Sequence, residues 1–189
     1  MRHKYETRSL ILSRTHVGEA TTYVTLLTSD LGLIYARAQS LRKPGAKLAH
    51  ALTTFAESSC IVVRGKDGWR VTGAILEESW THRLVTLEAR VRAGRVSQLL
   101  LRLVAGEERD RQLFPIVTGL LEALAVSSPA DHEAVEVLAV LRILSALGLD
   151  AGDIPGEPQL FSASLLAEVG QNRKRYVNRV NNGIVASGL

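Results

Sequence analysis

Catalysis needs reactive groups that converge, and the run Asp131-His132-Glu133 is the most reactive-looking stretch in the 189 residues. A simpler account fits it: acids just inside a helix start are favoured by the helix dipole, with His132 exposed beside them. The five histidines, His3, His16, His50, His82 and His132, show no pairing at helical metal-ligand spacing. Cys60 is the single cysteine. It sits in the alternating run Ser58-Ser59-Cys60-Ile61-Val62 and reads as a small core residue rather than a nucleophile. One thiol can form neither an internal disulfide nor a cysteine-based zinc or iron–sulfur site. The Gly-rich phosphate loops, the H-E-x-x-H zinc motif and the G-x-S-x-G elbow are all missing. The chain therefore reads as a binding protein, not an enzyme, with no cofactor and no metal.

The chemistry that the residues do support is capture of an anion. Single-stranded nucleic acid is held by cations that track its phosphates and by flat side chains on which bases stack. Tyr35 and Arg37 alternate onto one side of a strand, and Arg42, Lys43 and Lys47 follow in a loop broken by Pro44-Gly45. Arg14 extends this patch, with Lys4 or Arg8 before it. Further on, Arg83 and Arg90 lie seven apart, as do Arg95 and Arg102, in two rows about a third of a turn from each other on a helix. These rows either lengthen a nucleic-acid track or bind acidic segments of the same chain. The bland alternative is that Tyr35 covers an apolar edge and the loop is merely solvated.

Charge is unevenly distributed. The net formal charge is only +4, but residues 1–50 carry +5, 51–80 carry −1, 81–105 carry +4, 106–170 carry −8 and 171–189 carry +4. Such asymmetry fits an anionic partner. With 46% hydrophobic residues the chain is an ordinary globular one rather than a disordered one. Its N-terminus lacks the apolar core of a signal peptide, and no segment reaches the unbroken apolar length of a membrane span. The expected setting is a soluble, reducing compartment, the cytoplasm.

The elements that position these residues divide into strands and then helices. Ser9–Arg14, Thr22–Thr28, Leu33–Gln39, Phe55–Arg64 and Trp69–Leu76 read as strands, and a helical turn through Leu48–Leu52 follows the third. In the third strand Ile34, Ala36 and Ala38 share one face and Tyr35, Arg37 and Gln39 the other. Asp67-Gly68 makes the last two strands a hairpin. Five strands with this insert predict a closed oligonucleotide-binding (OB) barrel, although an open sheet or an SH3-like barrel would also fit. From residue 81 the apolar period becomes helical. The expected helices are Thr81–Ala105, Asp110–Val126, a buried central one capped by Ser128-Pro129 and ending before Gly148, a short one over Ser164–Val169, and Gln171–Ser187. In the last, Val177, Val180 and Ile184 face inward and Arg175 and Arg179 outward. The expected domains are a barrel over 1–80 and an all-α domain over 81–189.

The order of motifs resembles a known family. Glu6-Thr7 followed by Ile11-Leu12-Ser13-Arg14, then Gly18-Glu19-Ala20, Leu26-Leu27-Thr28, Leu31-Gly32-Leu33, Ala38-Gln39-Ser40-Leu41-Arg42-Lys43, Lys47-Leu48, Ala51-Leu52 and Phe55, is similar to the N-terminal domain of the RecO family of bacterial recombination mediators. The helical remainder, down to Ala186-Ser187-Gly188-Leu189, looks like the helical domain of a small RecO. The resemblance implies a cytoplasmic, nucleoid-associated protein that binds single- and double-stranded DNA through an OB barrel and basic surface on the helical domain, and that anneals complementary strands. It implies two protein partners. With RecR such a protein loads RecA onto DNA coated by single-stranded-DNA-binding protein, and it recognises that protein's acidic C-terminal tail. Arg37, Arg42, Lys43 and Lys47 would contact DNA. Many members hold zinc through four cysteines in the helical domain. With Cys60 alone, this chain is expected to lack zinc and to hold that region by apolar packing or to shorten it. The alternative function is a protein–protein adaptor whose barrel is structural and does not bind DNA.

Overall fold

Ala36 and Arg37 pair in parallel with Trp69 and Arg70, and this short ladder closes a five-stranded barrel of order β1-β2-β3-β5-β4. The strands are β1 (Lys4–Val17), β2 (Thr21–Thr28), β3 (Gly32–Gln39), β4 (Ala56–Gly65) and β5 (Gly68–Ser79), and every other pairing is antiparallel. The computed structural model describes residues 3–17, 21–39, 48–104, 106–107 and 110–189. They form two compact units, one of residues 1–83 with 106–114 and one of 84–105 with 115–189.

β1 is longer than its apolar centre suggests because it serves two neighbours. Lys4–Leu10 pairs with β4 and Ser9–Val17 with β2, with a bulge between Ile11 and Ser13. A bulge bends and twists a strand, which lets one strand turn the corner of a small barrel. The core inside includes Ile11, Val24, Leu26, Ile34, Ala36, Cys60, Val62 and Val71, with Leu48 and Leu52 of the helical turn after β3 packed on it. Small residues at Ala36 and Ala38 leave room for Trp69. The entry to β4 is a left-handed corner at Phe55, φ 62°. That conformation is unfavourable for a bulky L-residue. It is held from both sides, since Phe55 N–H donates to the Ile11 carbonyl (2.8 Å) and Trp80 N–H to the Phe55 carbonyl (3.1 Å). Buried Glu57 accepts from the indole of Trp80 (3.2 Å) and from Arg8, fastening β4 to β1 and to the end of β5.

The single helix expected over Thr81–Ala105 is two: α1 (Trp80–Arg83) and α2 (Leu87–Leu103). Thr86 causes the restart, because its backbone is extended and its hydroxyl accepts from Ala89 N–H as an N-cap. Val85, placed by periodicity on the buried stripe, is 80% exposed as a result. The stripe itself holds, with Ala89, Ala93, Val96 and Leu100 buried.

α3 (Leu113–Val126), which belongs to the second unit from Pro115 onward, has that proline as its third residue, where the missing N–H costs nothing. A 3₁₀ turn over Pro129–Asp131, capped by Ser128, leads into α4 (His132–Ala146), which ends before left-handed Gly148 (φ 71°). α4 is buried on most sides and contacts α2, α5 (Ala163–Gln171) and α6 (Arg173–Ala186). His132 corrects the expectation of an exposed histidine. The 3₁₀ turn takes the solvated positions before the helix, and His132 becomes its first buried residue, 1% exposed. Neither ring nitrogen has a hydrogen-bond partner among the described residues.

Arginines hold the segment between α4 and α5. Buried Arg142 donates to the carbonyls of Pro155 (2.9 Å) and Pro158 (3.0 Å) and lies 4.6 Å from the Phe161 ring centroid. Burial pushes its pKa down to about 10. Arg179, expected to face outward, instead binds Asp150 and the carbonyl of Asp153 (2.9 Å).

Two measurements test this packing. Cys60 is fully buried, and burial raises its pKa to about 11. At pH 8 the native protein should react with a thiol reagent on the order of a thousandfold or more slower than the unfolded chain. Because the folded thiol keeps its proton above the ordinary 9.0, its contribution to stability is complete below pH 9 and falls as pH rises towards 11. His132→Leu removes two unpaired buried nitrogens and should raise the unfolding free energy by about 1–2 kcal/mol in urea titration.

Candidate nucleic-acid interface

Strand alternation and register decide which side chains meet on the barrel wall. Cross-strand partners share a face, so the pairings Thr15–Tyr23, Tyr23–Arg37 and Arg37–Arg70 make one row that crosses β1, β2, β3 and β5. The next row is Ser13, Thr25 and Tyr35. Tyr23 and Tyr35 are 45% and 39% exposed and sit diagonally across the β2–β3 pair, beside Arg37. They form a flat, aromatic and cationic outer face.

Beside that face the β4–β5 hairpin builds a groove of about 470 Å3, lined by Arg37, Arg64, Lys66, Trp69 and Arg70, with Asp67 its one acid. Arg64 lies over the Trp69 ring, 5.3 Å from its centroid, so one cation is positioned by an aromatic plane. Four cations against one carboxylate make a strongly positive cleft.

The candidate residues read from the sequence fall in different places. Tyr35 and Arg37 lie together on the outer face as expected of their alternation. Arg14 lies in the row with Val24, Ala36 and Trp69, which is the opposite face, and its Nε is buried without a partner among the described residues. The bulge before Ser13 shifts the alternation of β1 and places Arg14 there. Arg42, Lys43 and Lys47 lie outside the described residues. Arg90 belongs to the second unit, where its Nε donates to the Leu84 carbonyl (2.6 Å). Arg8 is engaged with Glu57 and lies 5.7 Å from the Phe114 ring centroid. Arg64, Lys66, Arg70 and Tyr23 were not singled out from the sequence. Tyr23 had the right alternation within β2. The three cations flank one hairpin turn, but the −1 net charge of residues 51–80 conceals them.

The helical unit has its own recess. A cleft of about 490 Å3 between α2, α4 and α6 is lined by Val96, Leu99, Val137, Val140, Val177, Val180 and Ile184, with Arg95, Arg102 and Glu136 at its edge. Val177, Val180 and Ile184 are the residues expected to face inward. Arg95 is paired with Glu136 at 3.0 Å, whereas Arg102 is exposed. Arg92 bonds Glu88 and Glu136, and Arg173 bonds Glu133 (2.6 Å). Part of the basic charge of this unit thus neutralises its own acids. Among the described residues no group of three or more His, Cys, Asp or Glu is placed to hold a metal ion. None of their helices is long and apolar enough to cross a membrane.

A closed five-stranded barrel with a parallel β3–β5 contact, and with an aromatic, cationic surface on β2–β3 and the β4–β5 loop, defines an OB fold, a class that binds its ligands across those strands and loops. Residues 1–79 match the family model described as recombination protein O, N terminal. A DNA repair protein RecO of Dehalococcoides mccartyi is 33% identical over 129 residues, 68% of this chain and 51% of that protein. One from Roseiflexus is 29% identical over 167 residues, 87% of this chain and 55% of the relative. By its N-terminal domain the chain belongs to the RecO family. It spans about half the length of the curated relatives it matches.

Proposed function

We propose that the protein is a DNA-binding recombination mediator in DNA repair. It takes a single strand across the β2–β3 face and into the basic groove, also binds duplex, and anneals complementary strands by neutralising their phosphates while holding them close. With RecR it helps to load RecA onto DNA coated by single-stranded-DNA-binding protein. The observation that carries this reading is the pairing of Arg37 with Arg70 at the barrel closure, which joins the aromatic face to the hairpin cations. Arg42, Lys43 and Lys47 take the role that the family resemblance assigns to them, extending the cationic track beyond β3.

A second partner fits the helical cleft. Its apolar lining and the exposed guanidinium of Arg102 suit a short acidic peptide with apolar side chains, and the occupant we infer is the coating protein's acidic C-terminal tail. A protein–protein adaptor with a purely structural barrel would use this cleft alone.

Salt titration of single-stranded DNA binding separates these readings. The affinity should fall steeply with salt, and the double variant Arg37→Ala, Arg70→Ala should reduce the log–log slope by about 1.4, roughly 0.7 for each phosphate no longer neutralised. An unchanged slope removes the groove from the interface. Tail peptide binding should weaken about tenfold in Arg102→Ala, the loss of one charge-assisted hydrogen bond, with the DNA slope unchanged. Peptide binding without measurable DNA binding at low salt establishes the adaptor.

A further inference from the structure

A smaller recess of about 310 Å3 opens on the barrel unit next to the basic groove, and Arg64 and Trp69 line both. It lies at the lower end of the roughly 300–1,000 Å3 range of small-molecule sites. Its wall is Tyr5, 38% exposed, which meets Trp69 edge-on with centroids 5.5 Å apart and planes at 68°. Because Arg64 covers Trp69, the exposed plane left for a flat ligand is that of Tyr5. Apolar Ile34 lines the recess, and Asp30, Glu107 and Arg111 supply its other charged groups. Glu107 is paired with Arg64 at 3.7 Å, which leaves Asp30 as the carboxylate open to a ligand.

Asp30 is a prepared acceptor. Its Oδ2 accepts from Ser29 Oγ (2.6 Å) and Thr7 Oγ1 (3.0 Å), while Oδ1 accepts no hydrogen bond among the described residues. Those two hydrogen bonds, Ser29's first, together with the charge of Arg111, hold its carboxyl below the usual range. Each oxygen of an ionised carboxylate has two acceptor sites; those of Oδ2 are taken by Ser29 and Thr7, and those of Oδ1 are open to two converging N–H groups. Guanine alone among the DNA bases carries two adjacent donors, N1–H and N2–H, on its pairing edge, and its O6 and N7 accept from a guanidinium.

We propose that this recess captures one unpaired guanine of the strand lying in the groove, stacked on Tyr5, with its N1–H and N2–H converging on the open Oδ1 of Asp30 and its acceptors facing Arg111. The inference rests on the groove reading above. It makes the barrel a reader of one exposed base as well as a phosphate track. Such a base is available only in unpaired DNA, so the recess also favours single strand over duplex.

The test uses the full chain and labelled twelve-residue oligo-dT in which one position carries guanine, adenine, hypoxanthine or no base. Guanine should bind about tenfold tighter than adenine, consistent with the roughly 1–3 kcal/mol of a bidentate base contact, and hypoxanthine, which lacks N2–H, should fall between them. Asp30→Asn should abolish the guanine preference and leave the salt slope as it was. Tyr5→Ala should abolish the gain of any base over the abasic site. Both variants should melt with the parent, which excludes unfolding. Equal affinity for guanine, adenine and abasic strands overturns the proposal while leaving the groove standing, as does a guanine preference that survives Asp30→Asn. A partner protein whose binding is lost in Tyr5→Ala while base preference is unchanged assigns the recess to protein and overturns it too. If no oligonucleotide binds, the groove reading fails first. Saturable quenching of tryptophan fluorescence by deoxyguanosine monophosphate, lost in Tyr5→Ala, would then still support the recess, and no quenching would overturn it.

Discussion

The parallel contact of Ala36 and Arg37 with Trp69 and Arg70 is the constraint on which the barrel and its aromatic, cationic face depend. β3 and β5 are separated in sequence by residues 40–47, a helical turn and the whole of β4, and the pairing that joins them is two residues long. Buried side chains stabilise what so few hydrogen bonds would not. Trp69, paired with Ala36, is buried in the same core cluster as Ala36 and Ala38, and burial of one large aromatic outweighs the weak ladder. The same two residue pairs alternate in and out. Ala36–Trp69 fills the core, and Arg37–Arg70 sets two cations side by side on the wall. Like charges placed directly opposite each other destabilise a sheet. Their retention beside Arg64 and Lys66 is a cost that an anionic ligand would offset.

Charge in this protein divides into internal and available portions. Arg8, Arg92, Arg142, Arg173 and Arg179 are bound to Glu57, Glu88 and Glu136, backbone carbonyls, Glu133 and Asp150 respectively. Of the acids in residues 106–170, Glu133, Glu136 and Asp150 are thus matched against basic residues of α2 and α6 within the same unit. The groove is matched far less, with Asp67 in its lining and Glu107 reaching only Arg64, at 3.7 Å. In the helical unit, Arg142 and Arg179 also brace the segment between α4 and α5. A guanidinium that donates to two carbonyls and lies against Phe161 thus organises the segment between α4 and α5.

A good part of the fold was legible because its signals are local. The alternation of Tyr35 and Arg37, the Asp-Gly hairpin, the Ser128-Pro129 start and the inward set Val177, Val180 and Ile184 each depend on the backbone geometry of a few residues. Errors arose where a neighbour decided. The hydrophobic stripe over residues 85–103 runs through Thr86 without a break in period, so only the cap hydrogen bond reveals the restart that leaves Val85 exposed. His132 follows acids in sequence and looked solvated, until the 3₁₀ turn moved it one step into the core. Arg14 followed an apolar strand in simple alternation, and one bulge reversed its face.

By itself the sequence determined the class of fold, five strands and then helices with a lone core cysteine, and its motif order resembles that of the RecO family. The elements follow from composition, periodicity and short-range geometry, which act along the chain, and the family from a resemblance in motif order. The candidate binding surface was decided only by tertiary structure. Arg37 and Arg70, 33 positions apart, become neighbours through barrel closure, and Tyr5, Asp30 and Arg64 come to line one recess because β1, the β2–β3 turn and the hairpin meet at it. Closure and register are long-range conditions, set by how side chains fill a shared interior, and no window of sequence contains them.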